Sequence, residues 1–279
     1  MKKYICFRFD IDTHICLREG VPNLLKLFEA YDARGTFFVS MGRSFDRSLF
    51  LREKIKAQFS GKKTANGTFS MFSKLGAANS ATALLLNPRI GAVHKTILHD
   101  IIAHGHELGL HGGKNHALWE KNAKNWSEQK ILQEIDYGLG HIRQQQLPAP
   151  VSFASPCWQS PIGIEKLLKQ RGFSILADEY SATHQPNKEV SGFIHFPTNV
   201  IGKHGNVGFV ENLRALGYSS EEILSEFKRQ LDTEGNYKMV FDHPFYIGIK
   251  ELEILSQMIE ISLSKGYTIE SLQNISRHI

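Results

Sequence analysis

Two aspartates, Asp10 and Asp12, close a mostly apolar run, Tyr4–Phe9, near the start of the chain. Carboxylates two residues apart leave an extended strand on the same side, so both can serve one site. Other apolar runs also end in polar residues: His111, followed by Asn115 and His116; Ser155-Pro156-Cys157-Trp158; Asp178-Glu179; and Asp242-His243-Pro244. One carboxylate with two imidazoles is a common ligand set for a divalent metal. Asp12, His111 and His116 supply such a set and leave a coordination position open. Asp10, beside Asp12, suits a general base that takes a proton from water; His243, from a distant run, suits protonation of a leaving group from the other side. Singly, each has a plainer role: Asp10 or Asp12 as a loop cap, His111 as a core histidine. His14, His104 and His106 read as surface or structural residues.

The elements that must carry these groups alternate. Tyr4–Phe9 reads as a buried strand, Gly20-Val21-Pro22 opens a helix with Leu24, Leu25, Leu27 and Phe28 on its apolar side, and Thr36–Ser40 reads as a second strand. Helix 94–104 precedes strand 107–111, helix 127–146 precedes strand 151–154, and helix 162–171 precedes strand 173–177. A strand around 193–200, a helix at 219–231, a strand at 237–241 and a helix at 250–264 follow. This repeated order favours a (β/α) barrel or a large doubly wound parallel sheet, in which reactive side chains collect at the C-terminal ends of the strands.

The stretch from Arg43 to Lys95 breaks the rhythm. It carries 10 Lys/Arg against 2 Asp/Glu, whereas the rest of the chain carries 23 against 26, so the net charge of +5 originates in this one segment. It is too long for a βα loop and reads as a helical insertion, either a solvated cap or a basic, apolar-faced surface for anionic lipid or a lipid phosphate. The 279 residues, 42% hydrophobic and 22% charged, suffice for one large domain or two small ones, and with no Pro- or Gly-rich linker to split the chain a single domain over 1–279 with this insertion at about 43–95 is expected. Three cysteines without a CxxC pair argue against a disulfide framework, and neither a signal peptide nor a membrane-spanning run is visible, so a cytoplasmic protein is expected. Gly112-Gly113-Lys114 lacks the rest of a phosphate-binding loop, and neither GxGxxG nor GxSxG is present, so nucleotide phosphates, dinucleotides and a serine nucleophile elbow are not indicated.

In order and spacing, RFDIDT, REGVPNLL, TFFVSMGR, HELGLH, FPTNVIG and the late strand ending in His243 resemble the polysaccharide deacetylase (NodB-homology, carbohydrate esterase 4) superfamily. They are most similar to its branch acting on undecaprenyl-phosphate amino sugars, which includes the 4-deoxy-4-formamido-L-arabinose-phosphoundecaprenol deformylase and lipid-linked N-acetylhexosamine deacetylases. The resemblance implies an irregular (β/α)7-type barrel with a helical insertion after the second strand. It implies metal-dependent hydrolysis of a formyl or acetyl N-acyl group, in lipid A or envelope glycolipid modification. Asp10 would be the base, His243 the acid, and Asp12 and His111 metal ligands. Zinc is the metal expected first, with manganese, cobalt or nickel as alternatives. The family's second motif places its second histidine where this chain has Asn115; His116 is the expected third ligand, Asn115 the alternative, and loss of the metal the remaining outcome. The third motif lacks its arginine. Trp158 is expected to pack on a sugar ring, Arg18 and Glu19 to bind sugar or phosphate, and Asp178 or Glu179 to orient His243. The implied partners are a lipid-linked amino sugar and the inner face of the cytoplasmic membrane, with no nucleic acid. A soluble amino-sugar oligosaccharide or small amide, or a non-catalytic sugar- or lipid-binding module, stand as alternatives.

Overall fold

A computed structural model describes residues 2–44, 87, 89–203 and 207–279. Seven strands run parallel: β1 (Lys3–Ile11), β2 (Thr36–Val39), β3 (Glu107–His111), β4 (Ser152–Ala154), β5 (Ile175–Tyr180), β7 (Ile194–Thr198) and β8 (Tyr237–Asp242). They follow one another as β7-β5-β4-β3-β2-β1-β8; a short β6 (Asn187–Lys188) pairs antiparallel with β7, and off this path an eighth parallel strand, β9 (Tyr267–Ile269), pairs with β1. Between β7 and β8 the ladder shrinks to one parallel bridge, Val200 with Val240, which bends the sheet into an irregular (β/α)7 barrel. Asn199 strengthens this seam: its Oδ1 accepts from Met239 N–H (2.8 Å) and its Nδ2 donates to the carbonyl of Tyr237 (3.2 Å).

β1 is buried along both faces, as a central parallel strand must be. Its odd-numbered residues Ile5, Phe7, Phe9 and Ile11 join the layer between sheet and helices, while Tyr4 and Cys6 join a separate cluster inside the barrel. In the outer layer Phe9 meets the rings of Phe28 and Phe37 at centroid distances of 5.6 and 5.0 Å. Each fully buried phenylalanine contributes about 1.5–3 kcal/mol. The same alternation turns Arg8 and Asp10 inward and continues to Asp12 at the strand's C-terminal end.

The opposite end of the barrel is plugged. Helix Leu272–Ile275 packs Leu272 and Ile275 into the interior cluster. The N–H of Leu272 donates to Thr36 Oγ1 and that of Gln273 to Glu107 Oε2, both at 2.9 Å. Thus the first turn of this short helix is satisfied by barrel-lining side chains rather than by water.

The long helices match the sequence pattern within two residues: Lys95–Ala103, Glu128–Gln144, Ser220–Leu231 and Leu252–Ser264. The expected helix 162–171 is shorter, Ile164–Lys169, because Gly163 sits at φ 81° and starts it late. Strand β5 begins two residues later than expected and runs three further, to Tyr180. The expected insertion falls largely on 45–86 and 88, outside the described residues; its last stretch forms the turn Gly91–Val93 and leads into helix Lys95–Ala103.

Candidate metal and acid–base site

The C-terminal ends of β1, β3 and β8 place Asp12, His111 and His243 around one point, and His116 comes in from the loop after β3. That loop is fixed by backbone. Gly112 takes φ 67°, a conformation costly for residues with a Cβ. Arg43 then pins the loop: its N–H donates to the Lys114 carbonyl (2.9 Å), and its carbonyl accepts from His116 N–H (2.8 Å). Helix His116–Asn122 follows. Asn115 is its N-cap, with Oδ1 accepting from Leu118 N–H at 3.1 Å. The carboxamide oxygen that offered an alternative ligand is therefore engaged in a helix cap.

Ligand atoms of Asp12, His111 and His116 lie within 4.8 Å of one another. Asp12 Oδ1 is 3.2 Å from His111 Nε2, and Oδ2 is 3.3 Å from His116 Nε2. His111 Nδ1 is 2.9 Å from the carbonyl of Ala154. A carbonyl only accepts, so Nδ1 donates to it and the Nε2 edge of the ring faces the carboxylate. Asp12 Oδ1 is buried without a hydrogen-bond donor among the described residues. A positive charge between this oxygen and the imidazole nitrogens, a proton or a metal ion, would satisfy both sides. Burial alone raises the Asp12 carboxyl, but the charges of His116 and His111 outweigh it and hold it well below the usual carboxylate range. One carboxylate and two imidazoles thus suit a divalent cation of the zinc type, with the second ring nitrogen of His111 already anchored, as ligating histidines require.

Asp10 stands beside this set, with Oδ2 3.9 Å from His111 Nε2. A fully buried Arg8 holds it: Nε donates to Oδ1 at 2.8 Å and Nη2 to Oδ2 at 2.7 Å. The third arm, Nη1, donates to the carbonyl of Ala177 at 2.7 Å. The guanidinium lies 5.0–5.3 Å from the ring centroids of Phe38, Trp158 and Phe241. The third motif lacks its arginine, but Arg8, two positions before Asp10 on the same strand face, brings a guanidinium to this carboxylate. The R-x-D spacing was the signal.

Across the site His243 Nε2 is 3.2 Å from Asp12 Oδ2, and its Nδ1 is 2.9 Å from Glu211 Oε2. Burial works against a charge on His243, yet its hydrogen bonds to Asp12 and Glu211 lift its pKa well above the ordinary value. Glu211 was not singled out from sequence. It lies on helix Phe209–Ala215, whose first N–H groups are anchored on Asp242: Val210 and Glu211 donate to its carboxylate at 3.2–3.3 Å. Desolvation pushes the Asp242 carboxyl up to about 8. The pair expected to orient His243 is occupied elsewhere. Asp178 accepts from the N–H and hydroxyl of Ser155 (2.6 and 2.5 Å), and Glu179 pairs with His184.

The other residues expected to meet substrate have partners within the chain. Trp158 sits over Arg8 and meets Tyr180 and Phe241 edge-on, at 5.0 and 5.2 Å, so its ring roofs the guanidinium rather than standing free for a sugar. Arg18 and Glu19 pair with each other on the exposed turn Cys16–Gly20. Gly20 of that turn packs against the residue after His243: a Cβ there would lie 2.2 Å from the Pro244 carbonyl oxygen. His104 and His106 are structural, His104 on the Asp100 carbonyl and His106 as acceptor from Gly35 N–H, and His14 is buried.

A family model described as polysaccharide deacetylase matches residues 1–175, which hold Asp10, Asp12, His111 and His116 but not Glu211 or His243. A curated relative from Shewanella sediminis (strain HAW-EB3), named "Probable 4-deoxy-4-formamido-L-arabinose-phosphoundecaprenol deformylase ArnD", is 29% identical over 143 residues. That match covers 47% of this chain and 42% of the relative, so the chain spans less than half the length of the curated relative it matches. Among solved structures, a "probable Polysaccharide deacetylase" from Pseudomonas aeruginosa PAO1 superposes with a TM-score of 0.62 at 13% identity, over 99% of this chain and 90% of that one. A family 4 carbohydrate esterase from Streptomyces lividans, solved with acetate, superposes with a TM-score of 0.54 at 11% identity, over 95% and 91%. These likenesses extend the shared fold to nearly the whole chain.

Proposed function

The chain belongs to the polysaccharide deacetylase family, whose members are hydrolases of amide bonds, and from that premise we propose that it removes a formyl or acetyl group from the nitrogen of a polyprenyl-phosphate-linked amino sugar. The observation that carries this reading is the placement of Asp10 and His243 on opposite sides of the Asp12, His111 and His116 set.

Asp12, His111 and His116 would hold the divalent metal. Bound there, it supplies positive charge that polarises the acyl carbonyl and acidifies water. Asp10 accepts the proton of the attacking water. Arg8 takes one lone pair from each of its oxygens and leaves others directed at the site, so the base is fixed without being blocked. His243, held from behind by Glu211, delivers a proton to the departing amine nitrogen. Burial of Arg8, Asp10, His111 and His243 keeps bulk water from competing for these hydrogen bonds.

The lipid-linked substrate is supported by the name of the Shewanella relative and by the basic, phenylalanine-containing stretch between Arg43 and Lys95. Among the described residues no helix is long and apolar enough to cross a membrane. A polyprenyl substrate would then be met by peripheral binding at the inner face of the cytoplasmic membrane. The family description itself favours a second reading, a soluble amino-sugar polymer as substrate. The test is incubation of metal-loaded protein with a polyprenyl-phosphate N-formyl or N-acetyl amino sugar and, separately, with chitooligosaccharides. Formate or acetate release from the lipid alone supports the first reading, and release from the oligosaccharide alone supports the second. Release from neither, with metal bound, defeats both.

A further inference from the structure

Helix Glu128–Gln144 buries Ile131, Ile135, Gly138 and Ile142 at helical spacing, and Glu134 lies in the same buried stripe, 3% exposed. A carboxylate on a core-facing stripe is costly unless its oxygens are paired. Here each oxygen has a partner. Oε1 accepts from Lys130 Nζ, one turn back on the helix, at 2.6 Å. Oε2 accepts from the backbone N–H of Lys114, also at 2.6 Å. Lys114 belongs to the loop that joins His111 to His116.

That loop is shaped to lie on the carboxylate. A Cβ on Gly113 would stand 2.5 Å from both Cβ and Oε2 of Glu134, so glycine permits the contact. Gly138, one turn past Glu134, brings the helix onto β3: a Cβ there would lie 2.6 Å from Cδ1 of Leu110, the residue before His111. The Lys114 ammonium lies 5.8 Å from the ring centroid of Tyr137 on the same helix. From the other side Gly42 closes in, where a Cβ would meet the Lys114 carbonyl oxygen at 2.2 Å, and the Arg43 N–H donates to that oxygen. The N–H of Lys114 is thus held by Glu134 and its carbonyl by Arg43, and His116 follows two residues later.

We propose that Glu134 is a positioning residue for His116: by fixing the Lys114 N–H it lets a ligand five residues after His111 reach the point faced by Asp12 and His111. The role rests on the reading that Asp12, His111 and His116 hold a metal ion. Glu134 acts by reach. Its charge strengthens the bond to Lys114 and is balanced by Lys130, but a neutral acceptor of the same length would hold the loop in the same place.

The test is metal affinity without turnover, read by titrating Zn²⁺ into metal-free protein against a chromophoric chelator. Glu134→Ala, and Glu134→Asp, which keeps the charge but falls short, should weaken binding by about tenfold to a hundredfold. Glu134→Gln, which keeps the reach and loses the charge, should bind as wild type does, and so should Lys130→Ala. Ile135→Val, a core change on the same helix, should lower the unfolding midpoint and leave affinity unchanged. At saturating Co²⁺ the visible absorption, a signature of the ligand set, should change in the Ala and Asp variants and persist in Glu134→Gln and Ile135→Val. If Glu134→Ala does not fold, the Asp and Gln variants carry the comparison. Equal affinity and spectra in wild type, Ala and Asp variants would overturn the role. So would weak binding in Glu134→Gln with wild-type binding in Glu134→Asp, which makes charge rather than placement the cause, or a matching loss in Ile135→Val. A wild type that binds no metal overturns the metal site and this role together. Affinities that shift as expected in a protein that hydrolyses neither substrate sink the functional reading alone.

Discussion

The guanidinium of Arg8 grips both carboxylate oxygens of Asp10, its neighbour two residues along the same face of β1. Base and holder therefore move as one rigid unit of strand. Arg8 is fully buried, and its remaining contacts are the Ala177 carbonyl and three aromatic rings.

Asp10→Asn should lower kcat by about 10²–10⁴-fold with metal content intact, since it removes the proton acceptor. Arg8→Lys keeps the charge and loses the fork, so it should cost roughly a hundredfold in kcat with little change in KM. Steady-state kinetics on a formyl or acetyl amino sugar check both. An Arg8→Lys enzyme with undiminished kcat would show that the fork does not position the base.

His116→Ala should abolish stoichiometric metal binding. Asn115→Ala should leave it intact and cost about 1 kcal/mol of stability through loss of the helix cap. Elemental analysis of the purified variants, paired with urea unfolding, separates the two residues; a metal-free Asn115→Ala protein with His116 in place would reverse the assignment. Chelation of the wild type should remove activity, and added Zn²⁺, Mn²⁺, Co²⁺ or Ni²⁺ should restore it.

Glu211→Gln keeps a polar partner for His243 but removes the charge that helps lift its pKa. The His243 pKa should fall, so the proton needed by the leaving amine is lost at lower pH. The alkaline limb of the kcat/KM profile should move toward acid, whereas Asp178→Asn should leave it in place. A profile unmoved in Glu211→Gln would remove Glu211 from the acid's support.

Burial, then the charges of Arg34 and His104, lower the His106 imidazole from 6.5 to about 3, and its Nδ1 accepts the Gly35 N–H at 3.0 Å. Its folded pKa lies below its unfolded one, so between these values the unfolded chain binds more protons. Stability from this residue is present above about pH 6.5 and lost as pH falls toward 3, at up to about 1.4 kcal/mol per pH unit. The stability advantage of wild type over His106→Asn should therefore shrink from pH 7 to pH 4 in urea unfolding; a constant difference would count against it.

Barrel class, strand ends and the cluster of Asp10, Asp12, His111, His116 and His243 were legible because period-2 alternation and polar strand ends are local signals. What was not legible depends on contacts between distant segments. Glu211 lies 32 residues from His243 and meets it only because helix Phe209–Ala215 is anchored on Asp242. Asp178 and Glu179 fell nearer the expected motif, but β5 is separated from β8 by β7, and their oxygens are taken by Ser155 and His184. Trp158 covers a guanidinium, and the partner that holds it, Arg8, lies 150 residues away in sequence. Short helices such as His116–Asn122 and Leu272–Ile275 are too brief to show a period of 3.6.

The seam between β7 and β8 has a further consequence. Strands β1 to β4 each pair with the next one made, so that much of the sheet can assemble as the chain emerges. β1, however, waits for β8, with Tyr4 opposite Tyr237, and the ring closes only when Asn199 and Val200 reach Met239 and Val240. Asp10 therefore lies on the strand that opens the ring and His243 just past the strand that closes it. A chain cut short before β8 would carry Asp12, His111 and His116 but lack His243, so the proposed acid meets the proposed base only on closure of the ring.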